Sequence, residues 1–256
     1  MVVLGSGSRG NAAVVECGGA RLLIDAGLSA KQLAIRLQGV GIDPHSLDGI
    51  LLSHEHGDHV RGLKVFLKKW SLPVYCTAHT GRVVREAGIR EGLWKHFEAG
   101  QPFVVAGAAV HSFSLQHDAV DPVGFVIGNG RRRVGVVSDV GDITRNLTES
   151  LRGVDGLFIE ANYDDDLLAA DTKRPWSIKQ RISSRHGHLS NTQCAGLLRE
   201  IAHARLTRVV IGHLSSDCNT PETALHVLRA SLADAGHPGV ALHCAGQDEP
   251  TDWMTI

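Results

Sequence analysis

Short apolar runs closed by polar or glycine-containing breaks alternate along this chain with stretches of helical period. Ala12 to Glu16 and Arg21 to Asp25 read as strands separated by Gly18-Gly19. Ser29 stands as an N-cap before Leu33, Ile35 and Leu37, predicting a helix that ends near Gly39. Gly49-Ile50-Leu51-Leu52 has the character of a buried strand, and Leu63, Phe66 and Leu67 form a helical stripe within Val60 to Lys69. Pro73 to Cys76 predicts a short strand and Thr80 to Ala87 a helix. From Phe103 the period becomes two. Val104-Val105, Ala109 to Leu115, Val123 to Ile127 and Arg133 to Ser138 read as strands, with Asn129-Gly130 as a two-residue hairpin turn. Ile143 to Leu151 then predicts a helix with Asp142 at its N-cap or first turn, and Gly156 to Ile159 a strand. Asn191 to Ala204 and Glu222 to Ala235 read as helices, Leu206 to Gly212 and Val240 to Cys244 as strands. Two runs of strands, with helices before, between and after them, predict an α/β fold of four layers, an αββα sandwich with mixed sheets, rather than one doubly wound parallel sheet.

Composition narrows this picture. The chain has 256 residues, 43% of them hydrophobic, with no compositional break to mark a linker, so one domain over 1–256 is expected. A formal net charge of -1 gives no global attraction to nucleic acid or an anionic membrane, and any polyanion must be met by a local patch. Cys17, Cys76, Cys194, Cys218 and Cys244 are scattered without a CxxC pair, which suggests neither a disulfide framework nor a zinc ribbon and fits a reducing cytoplasm. No secretory leader pattern opens the chain, and no apolar stretch reaches membrane-spanning length. A soluble cytoplasmic protein is expected.

The 15 histidines are the unusual count, and they are not evenly spread. His54-Glu55-His56-Gly57-Asp58-His59 places three imidazoles and a carboxylate in six residues at a strand-to-helix turn. Neutral imidazole suits zinc, manganese or iron, carboxylate adds hard anionic oxygen, and Gly57 lets the two halves of the stretch face different ions. The start resembles the helical HExxH zinc motif, but Asp58 stands where that motif needs its second His. Gly5, Gly7 and Gly10 satisfy GxGxxG, yet a strand rather than a helix follows them, which removes the dinucleotide reading. His117 ends a strand whose His111, Phe113 and Leu115 share its face, Asp139 follows Val134 to Ser138, and His213 follows Leu206 to Gly212. Asp25 ends its strand as a candidate acceptor for the outer N–H of a ligating imidazole. His79, His96, His111, His203, His226, His237 and His243 lack ligand context and read as structural. Thr172 to Arg199 has no acidic residue and carries Lys173, Arg174, Lys179, Arg181, Arg185 and Arg199 with Trp176 among them, a face able to follow a phosphate backbone and stack on a base, or simply a solvated helical face.

His54, His56, Asp58 and His59 match the HxHxDH pattern of the metallo-β-lactamase fold superfamily. Further segments resemble its YycJ/WalJ branch of bacterial DNA exonucleases: Gly5-Ser6-Gly7-Ser8-Arg9-Gly10-Asn11, Leu23 to Gly27, His117-Asp118-Ala119, Ser138-Asp139, Glu160-Ala161-Asn162, Gly187 to Asn191 and His213-Leu214-Ser215. The resemblance implies one ion on His54, His56 and His117, a second on Asp58, His59 and His213, and Asp139 bridging them. It implies two divalent cations, zinc or manganese, a bridging hydroxide that attacks the scissile phosphate, and His188 binding that phosphate or protonating the leaving oxygen. Asp58, Asp139 and His188 are the expected catalytic residues; His188, Lys179 and Arg181 the expected substrate contacts. The expected activity is 5′→3′ exonucleolysis of DNA. The alternatives are a small-molecule cyclic phosphodiesterase resembling PhnP, then a thioester or lactam hydrolase. Relatives in this branch have His where Tyr163 stands, which leaves that position without an expected role.

Overall fold

In the computed structural model, which describes residues 1–256, each strand run has apolar side chains on both faces, so each becomes a sheet that must be covered twice. The first half contains β1 (Val2–Gly5), β2 (Ala12–Cys17), β3 (Ala20–Ile24), α1 (Ala30–Gly39), β4 (Gly49–Leu51), α2 (Gly57–Val60), α3 (Leu63–Lys69), β5 (Pro73–Thr77), α4 (Ala78–Glu86) and β6 (Leu93–Phe97). The second contains β7 (Pro102–Val105), β8 (Ala108–Ser114), β9 (Val123–Gly128), β10 (Arg133–Val137), α5 (Arg145–Leu151), β11 (Gly156–Glu160), α6 (Asp165–Ala170), α7 (Trp176–Ile182), α8 (Asn191–Ile201), β12 (Arg208–Gly212), α9 (Pro221–Asp234) and β13 (Ala241–Cys244). One sheet runs β1-β2-β3-β4-β5-β6 and the other β13-β12-β11-β10-β9-β8-β7. Both are mixed: β1 to β3 and β7 to β10 pair antiparallel, β3 to β6 and β10 to β13 parallel.

Alternation sorts the side chains into three apolar layers. Val3, Val15, Ile24 and Leu51 of one sheet meet Val110, Phe125, Val136 and Val210 of the other between the sheets. Outside the first sheet, Leu33, Leu37, Phe66 and Val84 of the helices cover Leu4, Val14, Leu23 and Ile50. Outside the second, Leu147, Leu151, Leu198 and Leu228 cover Leu157, Ile159, Val209 and Ile211. Each fully buried Leu, Ile or Phe contributes about 1.5–3 kcal/mol by leaving water, so these layers hold the four-layered αββα sandwich together. No helix is long and apolar enough to cross a membrane.

Several local expectations are corrected. The helix expected over Val60 to Lys69 is two, interrupted at Arg61-Gly62, where the Gly62 amide donates to Ala26 O at 2.8 Å. Ile35 lies outside the buried stripe of α1. The β9–β10 turn is four residues, Asn129 to Arg132, because the Asn129 carboxamide oxygen accepts from the amides of Arg131 and Arg132 at 3.1 and 3.0 Å. Thr144 caps α5 through Leu147 N, while Asp142 pairs with Arg185. The edge strand β6 was not expected, since its Leu93, Lys95 and His96 are exposed.

Candidate metal centre

Carboxyl ends of parallel strands converge on one edge, where ligands of open α/β sheets gather. Asp25 follows β3, the His54–His59 stretch follows β4, Asp139 follows β10, Glu160 ends β11 and His213 follows β12. His117 lies beyond β8, which runs in the same direction as β10. Asp25, Asp139 and His213 take φ of 59°, 57° and 54°, a left-handed backbone that costs a non-glycine residue about 1 kcal/mol or more and is retained where the surroundings fix it. In each case it turns a chemistry-bearing side chain sharply off the strand.

The seven residues expected as ligands are brought together. His54, His56 and His117 form one group, Asp58, His59, Asp139 and His213 a second, and in each the donor atoms lie within 4.8 Å of one another. A third group, Asp139, Glu160, His188 and His213, adjoins them. Asp139 spans the first two: its Oδ2 is 2.9 Å from His59 Nε2 and its Oδ1 3.9 Å from His117 Nε2.

In four of the five candidate ligand histidines, His54, His59, His117 and His213, the outer ring nitrogen is held by protein. His59 Nδ1 donates to Asp25 Oδ2 at 2.7 Å, and His117 Nδ1 to Gly187 O at 3.0 Å. His54 Nδ1 contacts Ser53 Oγ at 3.0 Å, and that hydroxyl donates to Asp25. His213 Nδ1 lies 3.4 Å from Glu160 Oε2 and 3.2 Å from Asn162 Nδ2. Orienting contacts of this kind are what ligating imidazoles require. His54 Nε2 is buried without any hydrogen-bond partner. Such an orphaned nitrogen among imidazole and carboxylate donors fits divalent cations of the zinc or manganese type.

Electrostatics agree. Burial alone would raise the Asp58 carboxyl, but hydrogen bonds from His213 and His59 hold it below the usual range. Burial opposes charge on His213, yet Asp139, Asp58 and Glu160 bring it up to about 10, and Asp139 and Asp25 likewise raise His59. Burial and the neighbouring His59 push His54 well down. Without metal, the surrounding carboxylates thus favour the protonated forms of His59 and His213.

Glu160, given no role by sequence reasoning, organises this edge. Fully buried, it accepts from the amides of Asp139 at 3.1 Å, Val140 at 2.8 Å and Leu189 at 2.9 Å, and His188 Nδ1 lies 3.1 Å from its Oε2. Burial disfavours its charge, but His188 and His213 bring its pKa down to about 2. Its position at a strand end, like Asp139, was the available signal. Asn11 and Ser6, noted only as part of the glycine-rich segment, also have individual roles: Asn11 Nδ2 donates to Asp58 Oδ2 at 3.1 Å, and Ser6 Oγ accepts from His213 N at 2.8 Å. The glycine-rich loop therefore ties both sheets to the cluster.

Gly27 shows how tightly that loop is packed. A Cβ there would overlap Asp58 O and come within 2.8 Å of Asn11 N. Gly27→Ala is expected to cost about 1–3 kcal/mol or more and weaken metal retention, checked by thermal unfolding with and without metal. An unchanged melting temperature would contradict the packing argument.

The basic segment is less free than its sequence suggests. Arg181 pairs with Asp118, Arg185 with Asp142, and Lys173 and Arg174 with Asp217, while Lys179 Nζ donates to Ala169 O at 2.8 Å. Trp176 is 71% exposed at the start of α7, which buries no residue. Tyr163 packs with Leu168 and Cys218 as a core residue.

Residues 20–213 match the model of the beta-lactamase superfamily domain. With this match and the four layers above, the chain belongs to the metallo-β-lactamase fold superfamily. It is 32% identical over 237 residues to the exodeoxyribonuclease WalJ of Streptococcus pneumoniae, covering 91% of this chain and 88% of that protein. It is 31% identical over 236 residues to the exodeoxyribonuclease YycJ of Bacillus anthracis, covering 91% and 89%. The metallo-β-lactamase fold protein YhfI from Bacillus subtilis superposes with a TM-score of 0.73 at 16% identity, over 98% of this chain and 99% of that one. Within the superfamily the chain falls in the YycJ/WalJ-like branch, and it is a metal-dependent hydrolase.

Proposed function

We propose that the chain is a dinuclear-metal phosphodiesterase, a cytoplasmic 5′→3′ exonuclease on DNA. The observation that carries the dinuclear reading is Asp139, whose carboxylate reaches both donor groups. His54, His56 and His117 would hold one divalent ion and Asp58, His59 and His213 the other, with Asp139 shared. When bound, zinc or manganese would supply Lewis-acid charge to the phosphoryl oxygens and a hydroxide nucleophile near neutral pH. The similarity to WalJ and YycJ supports DNA as substrate.

The chain's own groups supply orientation and a proton. Glu160 holds His188 Nδ1, so the ring is fixed and its Nε2 is left without a protein partner. Burial disfavours charge on His188, but the Glu160 and Asp139 carboxylates outweigh it and raise its pKa above the ordinary imidazole value. His188 thus suits donation to the departing sugar oxygen. His188→Gln is expected to lower kcat by ~10²- to 10⁴-fold with metal content unchanged; equal loss of metal would recast His188 as a ligand.

Protons held on His59 and His213 must leave when metal enters. At pH 7, adding zinc to chelator-treated protein is therefore expected to release protons, and apparent affinity to fall as pH is lowered. A weakly buffered titration with a pH indicator measures this; no release would contradict ligation by these two rings.

A small-molecule cyclic phosphodiesterase is the second reading, favoured by the pairing of Lys173, Arg174, Arg181 and Arg185 with Asp217, Asp118 and Asp142. End-labelled, 5′-phosphorylated DNA and matching RNA, incubated with metal-loaded protein and resolved by length, separate the two. Stepwise shortening of DNA from its 5′ end is expected. Intact polymers with turnover of a simple phosphodiester reporter would replace the exonuclease by the small-substrate enzyme.

A further inference from the structure

Away from the metal centre, at the amino end of β10, the second sheet carries an arginine-lined groove of about 380 Å³. Its wall comprises Arg131, Arg133, Arg205 and His111, and its floor includes Gly128 and Gly130, which present no side chains. The five residues of β10, at about 3.3 Å each, set it on the order of 15–20 Å from Asp139. It is therefore separate from the cluster.

These guanidiniums are positioned, but most of their donors are unspent. Arg133 Nη1 donates to Arg152 O at 3.1 Å and its Nη2 to Ser150 O at 3.4 Å, at the carboxyl end of α5. Arg205 reaches Gly153 O at 3.5 Å, with its Nε 3.8 Å from Asp155. Arg131, exposed in the β9–β10 turn, makes no side-chain hydrogen bond or ion pair. The one carboxylate here, Asp155, is buried, accepts from Arg133 N at 2.8 Å and is spanned by Arg132 at 3.0 Å and by Arg205. Each guanidinium offers five N–H donors in a planar fork matched to phosphate oxygens. In a chain of net charge -1, this concentration is local, as anion recognition requires.

We propose that the groove is a second phosphate-binding site, taking phosphate groups of a polynucleotide strand or of a free polyphosphate. The site stands independently of catalysis at the cluster, and the test keeps the two apart. The probes are a labelled, hydrolysis-resistant phosphorothioate oligodeoxynucleotide, followed by anisotropy across a salt series, and inorganic tripolyphosphate, followed by calorimetry. Metal-loaded wild-type protein is compared with Arg131→Glu, which touches no partner, and with Arg131→Ala/Arg205→Ala. If the phosphates are those of a strand, Arg131→Glu weakens oligonucleotide binding about tenfold at low salt and lowers the log–log salt slope by about 1. If they belong to a free polyphosphate, the variants lose a tripolyphosphate site present in wild type while oligonucleotide affinity holds. Both probes binding both variants as they bind wild type overturns the proposal. Hydrolysis of bis(p-nitrophenyl) phosphate is expected to be equal in all three proteins, and an inactive wild type would count against the cluster reading alone.

Discussion

Replacing Asp139 by Asn is expected to abolish turnover and lower the metal content together. The carboxylate lies between both donor groups, is almost fully buried, and has one oxygen 2.9 Å from His59 Nε2. Burial alone would raise its pKa, but His213 and His59 hold it well below the ordinary value, so it faces the cluster as an anion. An amide has the same shape, but it removes the charge and turns one oxygen into an N–H donor. Losing an outer partner of a metal ligand costs ~10- to 100-fold in metal affinity or activity, and a group shared by two ions should cost more. Elemental analysis beside reporter hydrolysis checks it; near-normal activity with full metal would remove Asp139 from the mechanism.

Glu160→Gln is expected to have the next largest effect, although Glu160 belongs to neither of the two groups assigned to the ions. Its two oxygens accept from three backbone amides and face His188 and His213. A carboxamide keeps one acceptor and turns an NH₂ toward groups that already donate. Breaking a buried charged network in this way costs about 3–5 kcal/mol. The turn carrying Asp139 and the start of the His188 segment should loosen together. A fall in melting temperature is expected with kcat reduced more than KM is raised, since the proton donor and the shared carboxylate lose their common brace. Wild-type stability and kcat would show that the network is dispensable.

What was legible in sequence was what is local. The HxHxDH stretch puts four donors on one turn and reads directly as a ligand cluster, whereas His117, Asp139 and His213 each follow an apolar strand and took their expected roles from the resemblance to the metallo-β-lactamase superfamily. Glu160 was not legible as a hub because its partners come from segments some twenty to fifty residues away, and backbone amides have no residue type to recognise. The same limit explains Asp142, whose pairing with Arg185 spans 43 positions and leaves Thr144 to cap α5. The basic segment misled in the opposite sense: no acid lies within it, but Asp118, Asp142 and Asp217 arrive from elsewhere. The arginine groove went unread because Arg131, Arg133 and Arg205 converge only once β10 is paired in its sheet. Edge strand β6 lacked a buried face to give it a period.

Activity measured against equivalents of metal tests the central claim most directly. Chelator-treated protein is titrated with zinc, and separately with manganese, while hydrolysis of a phosphodiester reporter is followed. Two donor groups sharing Asp139 predict that activity rises to its plateau only at two equivalents per chain and that Asp139→Asn reaches no such plateau. Full activity at one equivalent, or in metal-free protein, would contradict the dinuclear account.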